Sequence, residues 1–224
     1  MKKKLMRKLQ IYKIIVMKTH KEEGMNLPNK LTIIRIILVP IMVIMPFLGI
    51  DKLVPNSIIP LTWIIIEAIF IIASITDKLD GYIARSRNQI TTFGKFLDPI
   101  ADKILVLAAM IMLVEANRLP AWIPIIVLFR EFLVSGYRLV AVGNNGNVIA
   151  ASIWGKLKTV TQMFALILAL VDMNAYGRFI QGGLEGFSLI LNIASTVLMT
   201  ISIIATIFSG WDYIKNGKDL LLEK

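Results

Sequence analysis

The chain has 224 residues, of which 56% are hydrophobic, with one histidine, no cysteine and a formal charge of +10; its mean hydropathy is +0.71. A water-soluble domain averages about 45–50% apolar residues with glycine counted, and here the excess sits in long uncharged runs such as the 26 residues from Gly186 to Trp211, so most soluble readings are excluded. The cysteine and histidine counts remove disulfide scaffolds, thiolate nucleophiles, zinc–cysteine sites and histidine pairs, which leaves carboxylates, Arg, Lys and hydroxyls for any chemistry.

In chain order, residues 1–24 come first and carry eight of the 25 Lys and Arg. Leu5, Leu9, Tyr12 and Val16 repeat at helical spacing, as in a basic amphipathic helix on a membrane surface. A signal peptide is the competing reading, but Lys13 interrupts the apolar stretch and no small-residue cleavage site follows; a start at Met25 is a further alternative. After Pro28, hydropathy marks six spans near residues 31–49, 54–76, 98–114, 119–142, 153–171 and 187–211. The expected fold is therefore an all-α integral membrane protein of six transmembrane helices behind an N-terminal amphipathic helix. Its parts are a basic segment over 1–24, a six-helix domain over 25–214 and a short tail over 215–224.

With the N-terminus in the cytoplasm, 20 Lys and Arg fall on the cytoplasmic side, three (Lys52, Arg118, Arg178) fall outside, and Arg35 and Arg130 lie within spans. The positive-inside rule thus places both termini in the cytoplasm, and the basic charge follows topology rather than a nucleic-acid partner. Trp63, Trp122, Trp154 and Trp211 stand near span ends as interfacial anchors, and Pro40, Pro60, Pro99 and Pro124 start or kink helices. Glu67 lies ten residues before Asp77, roughly 15 Å along a helix, too far to join a metal site there; a hydrogen-bonded or protonated structural role is expected.

The chemistry concentrates between Asp77 and Asp102, four aspartates in 26 residues. On a helix, Asp77 and Asp80 share a face with Gly81, Ala84 and Arg85; past Gly94, Asp98 and Asp102 share a face of the next helix. A short connection would lay the two helices antiparallel and bring four carboxylates together at the membrane edge. Such a cluster repels itself unless protons or divalent cations neutralise it, and an all-oxygen set suits Mg²⁺ or Mn²⁺ rather than Zn²⁺. A solvated acidic turn is the plainer reading, and the interleaved Gly, Ala and Arg at helical spacing in a lipid-embedded chain weigh against it.

The pattern D-x2-D-G-x2-A-R-x8-G-x3-D-x3-D, formed by Asp77, Asp80, Gly81, Ala84, Arg85, Gly94, Asp98 and Asp102, resembles the signature of the CDP-alcohol phosphotransferases at every fixed position. The resemblance implies that Asp77, Asp80 and Asp98 bind two divalent metals, Mg²⁺ or Mn²⁺, that hold the CDP pyrophosphate, with Asp102 both ligand and general base. It places Gly81, Ala84, Arg85 and Thr91 against CDP-diacylglycerol. The segments NLPNKLTIIR (26–35), REFLVSGYR (130–138) and GKLKTVTQ (155–162) are similar to those of the bacterial phosphatidylglycerophosphate synthases within that family. By that similarity Asn29 and Thr32 border the nucleotide pocket, and Arg130, Arg138 and Lys156 receive the phosphate of sn-glycerol 3-phosphate.

Independently of the resemblance, Arg130, Arg138, Lys156 and Lys158 form a basic set that matches an anionic acceptor. Lys158 reads better as positive-inside anchoring, and Lys156 fits either role. The implied activity is transfer of a phosphatidyl group from CDP-diacylglycerol to sn-glycerol 3-phosphate, by a homodimer in the cytoplasmic membrane with its active site on the cytoplasmic side. Competing readings are a relative using phosphatidylglycerol, an inositol phosphate or serine as acceptor, a membrane transporter or anion channel, and a basic membrane scaffold.

Overall fold

A computed structural model of the protein describes residues 26–53, 59–86, 92–143 and 152–216. The 1–24 segment, Thr91 and most of the 215–224 tail lie outside the described residues, as do the side chains of Asp80, Ala84 and Arg85. Every regular element among the described residues is helical. Six α-helices follow one another: α1 (Leu27–Ile44), α2 (Leu61–Ser86), α3 (Thr92–Glu115), α4 (Trp122–Gly143), α5 (Ile153–Val171) and α6 (Gly186–Asn216), with short 3-10 turns at Met45–Leu48, Ile50–Leu53 and Arg178–Gln181.

Local chemistry sets several of the boundaries. Pro28 occupies the first turn of α1, where its missing N–H costs nothing. The end of α3 is a Schellman motif: Asn117 takes a left-handed conformation at φ 58°, Arg118 N donates to the Leu113 carbonyl (2.8 Å) and Asn117 N to that of Val114 (3.0 Å). At the start of α5 the Ser152 hydroxyl accepts from Gly155 N at 3.3 Å. Pro40 and Pro99 sit inside α1 and α3.

Three helical stretches are long and apolar enough to cross a membrane, Leu27–Leu48, Ile153–Val171 and Gly186–Lys215, which marks the chain as a membrane protein. The other three are about 33–39 Å long at 1.5 Å per residue, but each is interrupted by charge: Glu67, Asp77, Lys78 and Asp80 in α2, Asp98, Asp102 and Lys103 in α3, Arg130, Glu131 and Arg138 in α4. The six-span expectation therefore reappears as six helices, of which three qualify on composition.

The core is a seam of apolar side chains at three- and four-residue spacing: Val39 and Met42 of α1, Ile66, Phe70 and Ala73 of α2, Leu105, Ala109 and Leu113 of α3, Ile123 and Val127 of α4, Leu166 and Leu170 of α5, Met199 and Ile203 of α6. The outer faces are apolar too, with Ile72, Ile75, Ile125, Phe129, Phe132, Ile204 and Ile207 all exposed, the arrangement of a bundle solvated by lipid. α5 and α6 make the most extensive pairing, α1 packs on α2 and α3, and α4 packs on α6.

One end of the bundle is a structural clamp. The Arg118 guanidinium lies 3.8 Å from the centre of the Trp63 ring and reaches Leu170 O (3.3 Å) and Met173 Sδ (2.8 Å). Burial pulls Arg118 down to about 10, against the opposing charge of Asp172. Trp122 meets Tyr176 edge-on, and Asp172 accepts from Asn174, Asn192 and Ser195. At the other end Trp154 stacks on Phe208, and the tryptophans thus stand near the two ends of the bundle. Glu67 is buried in α2, and neither carboxyl oxygen has a hydrogen-bond partner among the described residues; of the two roles expected of it, hydrogen-bonded or protonated, the first is not found there.

Candidate functional site

At the end opposite the clamp, the first half of α1 lies against the second half of α2 and the start of α3. Pro28, Asn29, Thr32, Arg35, Val39 and Met42 are buried along one side of α1, so a polar stripe opens this face and an apolar one continues it. Arg35 is fully buried and donates from Nη1 to Asp77 Oδ1 at 2.7 Å. Thr32 Oγ1 stands 2.8 Å from Asp98 Oδ1 and 3.1 Å from the Pro28 carbonyl; both are acceptors for its single proton, and the carboxylate is the nearer. Two of the signature aspartates are thereby held by α1, one by a charge-assisted bond and one by a hydroxyl.

Asp102, one turn after Asp98 on α3, faces a cavity of about 40 Å³ between α3, α4 and α5, whose other lining residues are Lys103, Val106, Leu107, Val127, Leu128, Glu131 and Lys158. Asp102 lies within range of the charges of Asp77, Lys158, Arg35 and Glu131, so the aspartate region and the basic region form one electrostatic unit. Half of the lining residues are charged and half aliphatic.

Glu131 is the hub of the charged residues here. Its Oε1 accepts from Lys158 Nζ at 2.6 Å and from Arg130 Nη1 at 2.9 Å, and its Oε2 lies 3.7 Å from Lys103 Nζ. Lys103 also donates to the Ser135 hydroxyl. Arg130 is fixed from α6 by Ser209 Oγ, which accepts from Nε (3.2 Å) and Nη2 (2.5 Å). Gly155 makes room for it, since a Cβ there would stand 3.2 Å from Arg130 Nη2. Two turns on, Arg138 Nη2 donates to the hydroxyl of Tyr213 (3.0 Å), and both guanidinium carbons lie 6.0 Å from the Tyr213 ring centre.

Of the basic residues singled out in the sequence, Arg130 belongs to this cluster and Arg138 joins it through buried Tyr213. Lys156 lies on the exposed face of α5, while Lys158 is buried. The anchoring role expected for Lys158 is corrected by its contact with Glu131: it points into the bundle rather than toward the membrane surface. Arg35, Lys103, Ser209 and Tyr213 were not among the sequence candidates. Arg35 has a signal, completing Asn29 and Thr32 at three-residue spacing; the hydroxyl partners on α6 have none.

Aspartate oxygens are the donors that a hard divalent cation takes, and Asp77, Asp98 and Asp102 fit Mg²⁺ or Mn²⁺ in donor chemistry. Among the described residues, no three His, Cys, Asp or Glu side chains gather at metal-holding distance. Asp77 and Asp98 are turned to Arg35 and Thr32 instead. Gly81 is half-buried on α2, one residue past Asp80, and Asn29 is buried on α1.

A bundle with apolar outer faces that gathers acids and cations at one end is a membrane protein with a polar reaction-type site. The sequence profile of the CDP-alcohol phosphatidyltransferase family matches residues 25–208. Over 199 residues the chain is 41% identical to the CDP-diacylglycerol–glycerol-3-phosphate 3-phosphatidyltransferase of Bacillus subtilis (strain 168), covering 88% of this chain and 97% of the relative. It is 38% identical over 203 residues to the protein of the same name from Haemophilus influenzae, covering 88% and 96%. A probable phosphatidylglycerophosphate synthase of Mycobacterium tuberculosis (strain H37Rv) is 35% identical over 189 residues, covering 84% and 80%. The chain belongs to the CDP-alcohol phosphatidyltransferase family.

Proposed function

We propose that this protein transfers the phosphatidyl group of CDP-diacylglycerol to sn-glycerol 3-phosphate, forming phosphatidylglycerophosphate and releasing CMP. The observation that carries the reading is the shared cavity: Asp102, the candidate base, lines it together with Lys103, Glu131 and Lys158. A carboxylate beside two lysines suits an acceptor with a hydroxyl to deprotonate and a phosphate to hold. The relatives' names support the same donor and acceptor.

In this reading Lys158, in place of exposed Lys156, binds the acceptor phosphate from the cavity, with Arg130 beside it across Glu131 and Arg138 behind them, and the aliphatic lining excludes water. The acceptor hydroxyl gives its proton to Asp102 as its oxygen attacks the β-phosphorus of CDP-diacylglycerol. The bond from that phosphorus to the bridging oxygen breaks, and CMP leaves with the oxygen. Asp77, Asp80, Asp98 and Asp102 would hold the divalent cation, Mg²⁺ or Mn²⁺ and two ions by the family resemblance, which when bound neutralises the pyrophosphate and the departing CMP. Arg35 and Thr32 fix Asp77 and Asp98 in place. Asn29, Gly81, Ala84, Arg85 and Thr91 are assigned to CDP-diacylglycerol on the same resemblance.

The finer topology belongs to this proposal as well. Six crossings would return the chain to the side on which it started, with the aspartate end of the bundle at the cytoplasmic face, where Lys and Arg are most frequent. A homodimer in the cytoplasmic membrane, carried by the resemblance, is checked by cross-linking in native membranes.

Asp102→Asn tests the assignment. General-base catalysis contributes about 10²–10⁴-fold, so CMP release should fall by that factor while CDP-diacylglycerol still binds. Wild-type turnover in this variant would remove Asp102 from the mechanism.

A further inference from the structure

The mechanism above gives Glu131 no part, yet three cations from three helices meet at its carboxylate: Lys103 of α3, Arg130 of α4 and Lys158 of α5. A half-buried acid in such a position can be a plain structural counter-ion. The donors it leaves over point further. Arg130 has five N–H donors; among the described residues two go to Ser209 and one to Glu131, which leaves two, the number a bidentate phosphate contact takes. Lys158 has three donors and gives one to Glu131, leaving two for the cavity it lines.

Charge points the same way. With Asp102, which lines the same cavity, three positive charges stand against two negative ones, and loss of the Glu131 charge would leave two positive charges in excess, beside a phosphate monoester that carries about −1.5 to −2 at neutral pH. We propose that Glu131 is a positioning and specificity-determining residue, whose carboxylate holds Lys158 at the cavity with Arg130 beside it and limits the negative charge that the site accepts. The inference rests on the reading that the acceptor is a phosphorylated alcohol. Without the carboxylate, the three cations repel one another and the cavity favours a more anionic ligand.

The test uses the full chain in detergent with saturating CDP-diacylglycerol, measuring kcat, KM for sn-glycerol 3-phosphate, and competition against that acceptor by inorganic phosphate and by 1,3-propanediol bisphosphate. For Glu131→Gln, kcat should fall by about 10–100-fold through misplacement of the acceptor, with KM unchanged or lower. The preference for bisphosphate over phosphate should rise about tenfold, the equivalent of about 1.4 kcal/mol. Glu131→Asp keeps the charge on a shorter stem, so it should lose kcat while retaining the wild-type preference, and it carries the test if the Gln variant does not fold. An unchanged preference in the Gln variant, an altered one in the Asp variant, or a raised KM at wild-type kcat would overturn the proposal. Wild-type protein that releases CMP with a neutral acceptor and not with glycerol 3-phosphate would instead sink the acceptor reading beneath it.

Discussion

Replacing Arg35 with Met removes the guanidinium that holds Asp77 at 2.7 Å and fills its space with an unbranched apolar side chain. Breaking a fully buried pair costs about 3–5 kcal/mol. Here Arg35 is 0% exposed but the Asp77 side chain is 38% exposed, so water takes over part of the carboxylate's solvation and the loss of stability should be about 1–2 kcal/mol. Catalysis should suffer more. Asp77 swings free of α1, and displacement of a catalytic group by about 1 Å costs on the order of 10²-fold in rate. The assay is CMP release at saturating Mg²⁺ with glycerol 3-phosphate varied, alongside thermal unfolding in the same detergent. A fall in kcat of about 100-fold at unchanged acceptor KM is expected, with partial recovery in Arg35→Lys, which restores a charge but a single point of contact. Wild-type kcat in Arg35→Met would refute the positioning argument, and equal losses in kcat, KM and stability would reduce Arg35 to a packing role.

Three further outcomes follow from the geometry. Lys158→Met should raise the acceptor KM by about 10–100-fold, the worth of a hydrogen bond to a charged group at about 1.5–3 kcal/mol, whereas exposed Lys156→Ala should change it less than about threefold; steady-state kinetics with varied glycerol 3-phosphate separates the two. Gly155→Ala puts a methyl 3.2 Å from Arg130 Nη2 and 3.5 Å from Ser209 Oγ, so the guanidinium must shift and acceptor KM should rise severalfold with CDP-diacylglycerol binding intact. Arg118→Ala removes the cation over Trp63 and should cost roughly 1–3 kcal/mol, seen as a lower Tm in detergent, with kcat and both KM values at permissive temperature unchanged.

Hydropathy located the helices through their apolar middles and fell short at their polar ends. The span expected over 153–171 coincides with α5, which has Ser152 as a local start signal. By contrast α2 runs ten residues past the expected end at Thr76, through Asp77 and Asp80 to Ser86, and α3 begins at Thr92 rather than Asp98. Backbone hydrogen bonding propagates a helix through charged residues as readily as through apolar ones, so the aspartate segments are helical although hydropathy excludes them.

The aspartate pattern was legible because helical spacing is a local property. Partners were not: Arg35 with Asp77 and Arg130 with Ser209 join residues 42 and 79 positions apart. Composition assigns Lys158 to anchoring and leaves Lys156 open because it ignores rotation. At 3.6 residues per turn two positions differ by about 200°, so one lysine must face outward when the other faces in, and only the packing of α5 against its neighbours selects which.

The central claim is tested most directly by the chain purified in detergent, with Mg²⁺-dependent CMP release from CDP-diacylglycerol measured against glycerol 3-phosphate, serine, inositol phosphate, phosphatidylglycerol and no acceptor, and lipid products identified by mass spectrometry. Release driven by glycerol 3-phosphate, with phosphatidylglycerophosphate as the product, is the predicted result. Release driven by serine or phosphatidylglycerol and not by glycerol 3-phosphate would contradict it.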